Sequence, residues 1–338
     1  MHQPNPNPSA VPHPTASGSA PSPVPSPDLS PAQLDRARGA LLATAAGDAL
    51  GAGYEFGPPL DEGEAVFMKG GGAFDWESGE WTDDTSMLVP MARELAAGHR
   101  LEDEATLDAI VTAWIGWART APDVGAQTRG VLTDAHTPTA RGARAAAIRL
   151  HERTGRSAGN GSLMRTAPVA LGYLGAGREA ELAAAALSVS ALTHADESAG
   201  EACAIWCLAI RHAVLTGELN LRGQLRWLAD DRAAFWAQIL DVAQVRQPRD
   251  FERNGWVVEA LQGAWSAITH GAGLVDTLER AVRGGLDTDT VAAIAGGLAG
   301  AVHGASALPA EWIAVLHGWP GLDAAGLGEL AERAVRAR

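Results

Sequence analysis

The 338 residues would fill one large or two medium domains, and 46% hydrophobic side chains supply a sizeable core. Abundant Ala and Leu with only 5% aromatics suit helix packed on helix better than a sheet core, so the expected fold class is all-α. A net charge of -14 without a Lys/Arg stripe argues against a nucleic-acid partner, and two cysteines do not make a disulfide framework, which fits a cytoplasmic protein.

Residues 1–29 are rich in Pro and Ser with almost no large apolar side chains, so they are expected to form a disordered tail; a proline-rich ligand for an SH3-type domain is the alternative. The N-terminus lacks a charged region followed by an apolar one. The longest nearly apolar stretch, Val291 to Val302, is too short to cross a bilayer, so neither export nor a membrane partner is expected. Residues 30–338 are expected to be a single all-α domain, acting as a monomer.

Ser30-Pro31-Ala32-Gln33 reads as a capping box with Pro at the first helical position, and Leu29 and Leu34 are placed for a hydrophobic staple. That helix runs to Gly47-Asp48-Ala49-Leu50-Gly51-Ala52-Gly53, whose glycines end regular helix or let backbones come close, and put Asp48, Tyr54 and Glu55 at a helix end or on a loop. Gly57-Pro58-Pro59 and Gly70-Gly71-Gly72 punctuate a loop leading to Trp81 and the acidic run Thr82-Asp83-Asp84-Thr85. Met87, Met91 and Leu95 then recur at i, i+4 and i+8, with Gly98 as a stop; Pro90 implies a kink or a late start. Further helices are expected over 107–118, 143–153, 179–192, 198–215, 222–228, 232–243, 257–269 and 274–282. Cys203 and Cys207 lie four apart on the 198–215 run, where they share one face, and read as small buried apolar residues. Neither strand-type alternation nor an internal repeat emerges.

A second acidic run, Asp287-Thr288-Asp289-Thr290, opens a helix whose Gly296, Gly300 and Gly304 leave a bare stripe for close packing. Adjacent carboxylates repel and prefer water, so two such runs at helix entrances cost stability unless a cation sits between them. Oxygen-only donors favour Mg²⁺, Mn²⁺ or Ca²⁺. The competing reading is that each run merely caps its helix. The second run is not a calcium-binding loop of the EF-hand type, since Ala292 stands where glycine is needed and Leu298 where a bidentate Glu is needed. A cation site must therefore join the two runs, and two cations sharing a bridging carboxylate would suit a substrate rich in hydroxyl or phosphate oxygens. Gly159-Asn160-Gly161-Ser162-Leu163-Met164-Arg165 is either a backbone cradle for phosphate or a tight interhelical turn. His194 falls at a loop tip between helices, as a ligand contact, a cap or a core hydrogen-bond partner, and Asp123 and Glu55 are loop carboxylates.

Together, Gly47-Asp48-Ala49-Leu50-Gly51 with Glu55, Trp81-Thr82-Asp83-Asp84-Thr85, Gly159 to Arg165, Thr193-His194 and Asp287-Thr288-Asp289-Thr290 resemble, in the same order, the ADP-ribosylglycohydrolases. The resemblance spans roughly residues 35–320 and implies a compact all-α bundle with two Mg²⁺ or Mn²⁺ ions in a cleft. It implies Thr82, Asp83, Asp84, Asp287, Asp289 and Thr290 as metal ligands, and Asn160, Gly161, Ser162, Met164 and His194 as residues facing the ADP-ribosyl group. The loop Pro122-Asp123-Val124-Gly125 resembles the one carrying the catalytic Asp in the arginine-directed branch, so Asp123 and Glu55 are the expected acid and base.

The implied reaction is hydrolysis of the bond between ADP-ribose and arginine in a modified protein or a small conjugate. The oxocarbenium character that develops at ribose C1 calls for oriented hydroxyls, a carboxylate that moves a proton and an activated water. Alternatives are a hydrolase of O-linked or small-molecule conjugates, and a non-catalytic ADP-ribose-binding or immunity relative, which would be free to lose its acidic residues. A phosphoesterase of helical fold would call for His-Asp pairs, and the sequence has no His-Asp dipeptide.

Overall fold

We describe a computed structural model in which residues 29–61 and 63–337 are placed. The tail expected over residues 1–29 lies almost wholly outside the described residues. Ser30 starts the first helix as read from sequence: its Oγ accepts from Gln33 N–H at 3.3 Å, and its own N–H donates to Gln33 Oε1 at 2.9 Å.

Among the described residues the helices are α1 (Pro31–Gly51), α2 (Asp83–Ala96), α3 (Glu104–Trp117), α4 (Ala126–Asp134), α5 (Ala140–Thr154), α6 (Ala167–Leu171), α7 (Glu179–Ser190), α8 (Glu197–Thr216), α9 (Asp230–Val245), α10 (Val257–His270), α11 (Leu274–Arg283), α12 (Thr288–His303), α13 (Ala310–Val315) and α14 (Ala324–Arg336). The only regular strands among them are β1 (His317–Gly318) and β2 (Leu322–Asp323), a short antiparallel pair, so the fold is all-α.

The centre of the fold is the antiparallel crossing of α1 and α12, which are buried from Gly39 to Gly51 and from Thr288 to Ala301. Both are apolar nearly all round, as helices surrounded by other helices must be. Glycines let their backbones touch. A Cβ on Gly296 would lie 2.0 Å from the Ala43 carbonyl oxygen, and one on Gly47 would lie 2.3 Å from that of Ala292. One on Gly51 would lie 2.4 Å from Asp289 Cα. The crossing therefore sets the C-terminal end of α1, with Asp48, directly against the N-terminal end of α12, with Asp289. Helices α2 and α14 pack beside α1, while α8, α10 and α11 pack on α12.

Several expectations change. Helix α2 starts at Asp83 and runs through Pro90, so no late start occurs. Gly304 lies past the end of α12 with φ +84°, and the packing stripe is Gly296 and Gly300. Residues 222–227 form a 3-10 turn and not an α-helix. Helices α4, α6, α13 and α14 were not expected. Cys203 and Cys207 both lie on α8, buried and free. At 20 residues, with an 18-residue window of mean hydropathy 1.2, α8 has the length and composition to cross a bilayer and exceeds the Val291–Val302 stretch, yet 83% of that window is buried inside the protein, which makes it a core helix.

Candidate active site

Helix α2 is capped by a residue from another helix. Asp48, in the last turn of α1, accepts the N–H groups of Thr82 (2.8 Å) and Thr85 (2.9 Å) and the Thr85 hydroxyl (2.6 Å). These are the donors that the first turn of a helix leaves unpaired. Because Asp48 takes them, the side chains of the first acidic run are freed from capping. Thr82, at the N-cap position, makes no cap bond with its side chain. Its hydroxyl instead donates to Asp84 Oδ2 at 3.1 Å and lies 3.4 Å from Asp289 Oδ2. The two runs thus meet side chain to side chain, and simple capping does not account for them.

Two oxygen triads form there. Asp48, Asp84 and Asp289 each offer a carboxylate oxygen within 4.8 Å of the others, as do Glu55, Asp123 and Asp289. Asp289 belongs to both. Asp48, Asp84 and Asp289 are buried, and Glu55 and Asp123 are half-buried. Asp83 is buried and accepts the Gly125 N–H at 3.3 Å, which ties it to the loop that carries Asp123. Thr290, also buried, directs its backbone N–H to Asp289 Oδ1 at 2.9 Å.

Burial, then mutual repulsion, raises the Asp83, Asp84 and Asp289 carboxyls well above their usual range. Burial also lifts Asp287, Asp48 to about 6 and Asp123 to about 6. Glu55 goes to about 9 through burial and the charges of Asp123, Asp287 and Asp83. Asp84 Oδ1 is buried without a hydrogen-bond donor. An orphaned anionic oxygen among crowded, desolvated carboxylates is the donor set that a hard divalent cation satisfies, so the residues present fit the ions that the resemblance implies.

Asp287 is held by two asparagines. Asn160 Nδ2 donates to Asp287 Oδ2 at 2.7 Å and to the Asn254 carbonyl at 2.8 Å. Asn254 Oδ1 accepts the Asp287 N–H at 3.2 Å, and its Nδ2 donates to the Gly285 carbonyl at 3.0 Å. Gln127 donates to the carbonyls of Ser157 and Thr193 and accepts the Gly159 N–H.

The Gly159–Arg165 turn divides. Asn160 reaches Asp287, and Gly161 lies against the His194 ring. The Ser162 hydroxyl is taken up by Ser190 at 2.9 Å in the core, and Met164 is buried there too. His194 is a core residue, only 2% exposed, and burial with the nearby Arg165 charge pushes its pKa well below the usual value. Asn254 and Gln127 are site residues that the sequence did not point to, and Asp48, placed there at a helix end, was given no role. Asp48 carried a signal, an acid inside a glycine-interrupted helix end; Asn254 and Gln127 carried none.

A family model described as ADP-ribosylglycohydrolase matches residues 29–338. The ADP-ribosylarginine hydrolase Tri1 of Pseudomonas putida (strain GB-1) is 33% identical over 306 residues, covering 84% of this chain and 75% of that protein. The ADP-ribosyl-[dinitrogen reductase] glycohydrolase of Rhodospirillum rubrum is 30% identical over 308 residues, covering 85% and 92%. Among solved structures, a chain of an ADP-ribosylglycohydrolase-related protein complex superposes with a TM-score of 0.69 at 28% identity, over 90% of this chain and 98% of that one.

Proposed function

The chain belongs to the ADP-ribosylglycohydrolase family, and from that premise we propose that it removes ADP-ribose from the guanidinium of arginine, with two divalent cations held in its acidic cleft. Hydrolysis of the glycosidic bond to ADP-ribose is the family's chemistry; the acceptor, the ions and the residue roles are our reading. The observation that carries it is the convergence of Asp48, Asp84, Asp289, Glu55 and Asp123 in two triads sharing Asp289. Such a cleft repels the anionic diphosphate of ADP-ribose unless cations lie between them.

Thr82, Asp83, Asp84, Asp287, Asp289 and Thr290 are the proposed ligands, with Asp48 fixing the backbone that presents the first three. Two Mg²⁺ or Mn²⁺ ions bound there would supply positive charge to hold the ribose hydroxyls and to acidify water. Asn160 and His194 orient the ADP-ribosyl group. As the bond from ribose C1 to the guanidinium nitrogen breaks, its electron pair goes to nitrogen and leaves a neutral guanidine. Water adds to C1, and its proton passes through a carboxylate to the guanidine. Asp123 suits that transfer: it is half-buried and ionises near neutrality, so its carboxylate pairs with the cationic acceptor and then carries the proton. Glu55, the more strongly raised of the two, stands ready as an acid, although bound cations lower both.

The test is to incubate the full chain with ADP-ribosyl-arginine and with an ADP-ribosyl-serine peptide, with Mg²⁺ or Mn²⁺ and after chelation, and to resolve the products by chromatography. Release of ADP-ribose from the arginine conjugate, lost with chelator and restored by metal, is expected. Release from serine alone, or full turnover after chelation, overturns the reading.

A further inference from the structure

Arg165 is a fully buried cation whose hydrogen-bond and stacking partners among the described residues are neutral. Its Nη2 donates to Thr193 Oγ1 at 2.6 Å, its Nη1 lies 3.4 Å from Met87 Sδ, and its guanidinium sits 4.0 Å above the Trp114 ring. Thr193 is 0% exposed, and its Oγ1 also lies 2.7 Å from His194 Nδ1. A guanidinium only donates, and a threonine hydroxyl has one proton. If Nδ1 carried a hydrogen, Oγ1 would accept two N–H bonds and strand its own proton in a site closed to water. The hydroxyl therefore donates to Nδ1, which leaves the imidazole proton on Nε2.

Two glycines flank that nitrogen. A Cβ on either Gly159 or Gly161 would stand 3.4 Å from His194 Nε2, closing the space in front of it. We propose that Arg165 and Thr193 are positioning residues that lock His194 as a neutral imidazole with its N–H at Nε2, presented between Gly159 and Gly161 to an oxygen of the ADP-ribosyl group. The proposal rests on the glycohydrolase reading for the identity of the ligand; the lock itself does not. Arg165 also disfavours a second positive charge beside it, so the donor binds an anionic oxygen without passing it a proton.

The experiment is ¹⁵N NMR of the full chain labelled at histidine, with the His194 signals assigned by their loss in His194→Asn. The expected result at neutral pH is the neutral Nε2–H tautomer. It should be lost or averaged in Thr193→Val, which keeps the shape but not the hydroxyl, and be restored in Thr193→Ser. Added ADP-ribose should shift the Nε2 signal. Its affinity, measured by calorimetry, should fall roughly tenfold in Thr193→Val and recover in Thr193→Ser, the loss expected for one hydrogen bond to a charged oxygen. An Nδ1–H tautomer, or a tautomer unchanged in Thr193→Val, overturns the lock. An Nε2 signal unmoved by ADP-ribose that calorimetry shows to be bound leaves the lock standing and removes His194 from the ligand site, overturning its presentation to the ADP-ribosyl group.

Discussion

Phe56 and Leu286 both hold left-handed backbone, φ 62° and φ 64°, and the Phe56 N–H donates to the Leu286 carbonyl at 2.7 Å. The Leu286 N–H returns a bond to the Gly57 carbonyl at 2.8 Å. Phe56 follows Glu55 and Leu286 precedes Asp287, so this strained clasp fixes two of the cleft carboxylates against each other across a long sequence gap. A bulky residue in this region costs about 1–3 kcal/mol and persists where the surroundings over-determine it.

Phe56 is 64% exposed, so its ring contributes little burial against that cost. Phe56→Gly is expected to leave stability unchanged or raise it by up to about 1 kcal/mol, because relief of strain exceeds the added freedom of the unfolded chain. Turnover should nonetheless fall as Glu55 loosens. Urea melts beside steady-state rates check this; a variant less stable by well over 1 kcal/mol would show that the ring packs more than its exposure indicates.

The acidic cleft makes metal-free protein sensitive to pH in a defined direction. A carboxyl whose folded pKa lies above its unfolded value contributes stability fully present below the unfolded value and lost as pH rises through the folded one. Asp48 and Asp123 are raised to about 6 and Glu55 to about 9. In chelator the melting temperature should therefore decline from about pH 4 to about pH 9, the span between the ordinary carboxyl range and the highest raised value. Mg²⁺ or Mn²⁺ should restore it, most at the alkaline end. A flat or rising profile in chelator, measured by scanning fluorimetry, would remove the argument for a charge-strained cleft.

What was legible in the sequence was local. Acidic runs at helix entrances, the Ser30 cap and the small-residue stripe of α12 all act within a few turns of their own chain. What was not legible depends on tertiary contact. Asp48 could be seen at a helix end, but only the crossing of α1 and α12 makes it the cap of α2. Ser162 and Met164 belong to the same short turn as Asn160, and spacing alone does not tell which of them the turn sends to the core. Helix α14 buries Leu327, Leu330, Ala331 and Ala334 at helical spacing, but Gly326 and Gly328 within the run obscured it.

The crossing yields a paired prediction. Gly296→Ala sets a methyl 2.0 Å from the Ala43 carbonyl oxygen, and both partners are backbone, so the helices must separate. A loss of about 3 kcal/mol, the upper part of the usual overpacking range, is expected, with weaker metal binding as Asp48 and Asp289 move apart. Gly116→Ala in α3 meets nothing within 4 Å and should instead stabilise by about 0.5 kcal/mol through helix propensity. Denaturant titrations of both proteins give the contrast, and equal effects would show that the close crossing is not a constraint.

The leaving group separates the roles of Asp123 and Glu55. Asp123 sits with Glu55 and Asp289 in one triad, and its loop is tied to Asp83 through Gly125. A guanidinium acceptor is positive before the bond breaks and neutral after it, so a half-buried carboxylate gains most by pairing with it and then carrying a proton to it. Asp123→Asn keeps the shape and removes the charge. It should lower turnover of ADP-ribosyl-arginine by roughly two to four powers of ten, the range that general acid–base groups supply, with a smaller loss of ADP-ribose binding. Asp123→Glu should recover part of the rate. If Asp123→Asn turns over normally while Glu55→Gln does not, the proton passes through Glu55, and Asp123 serves only to hold the loop against Asp83.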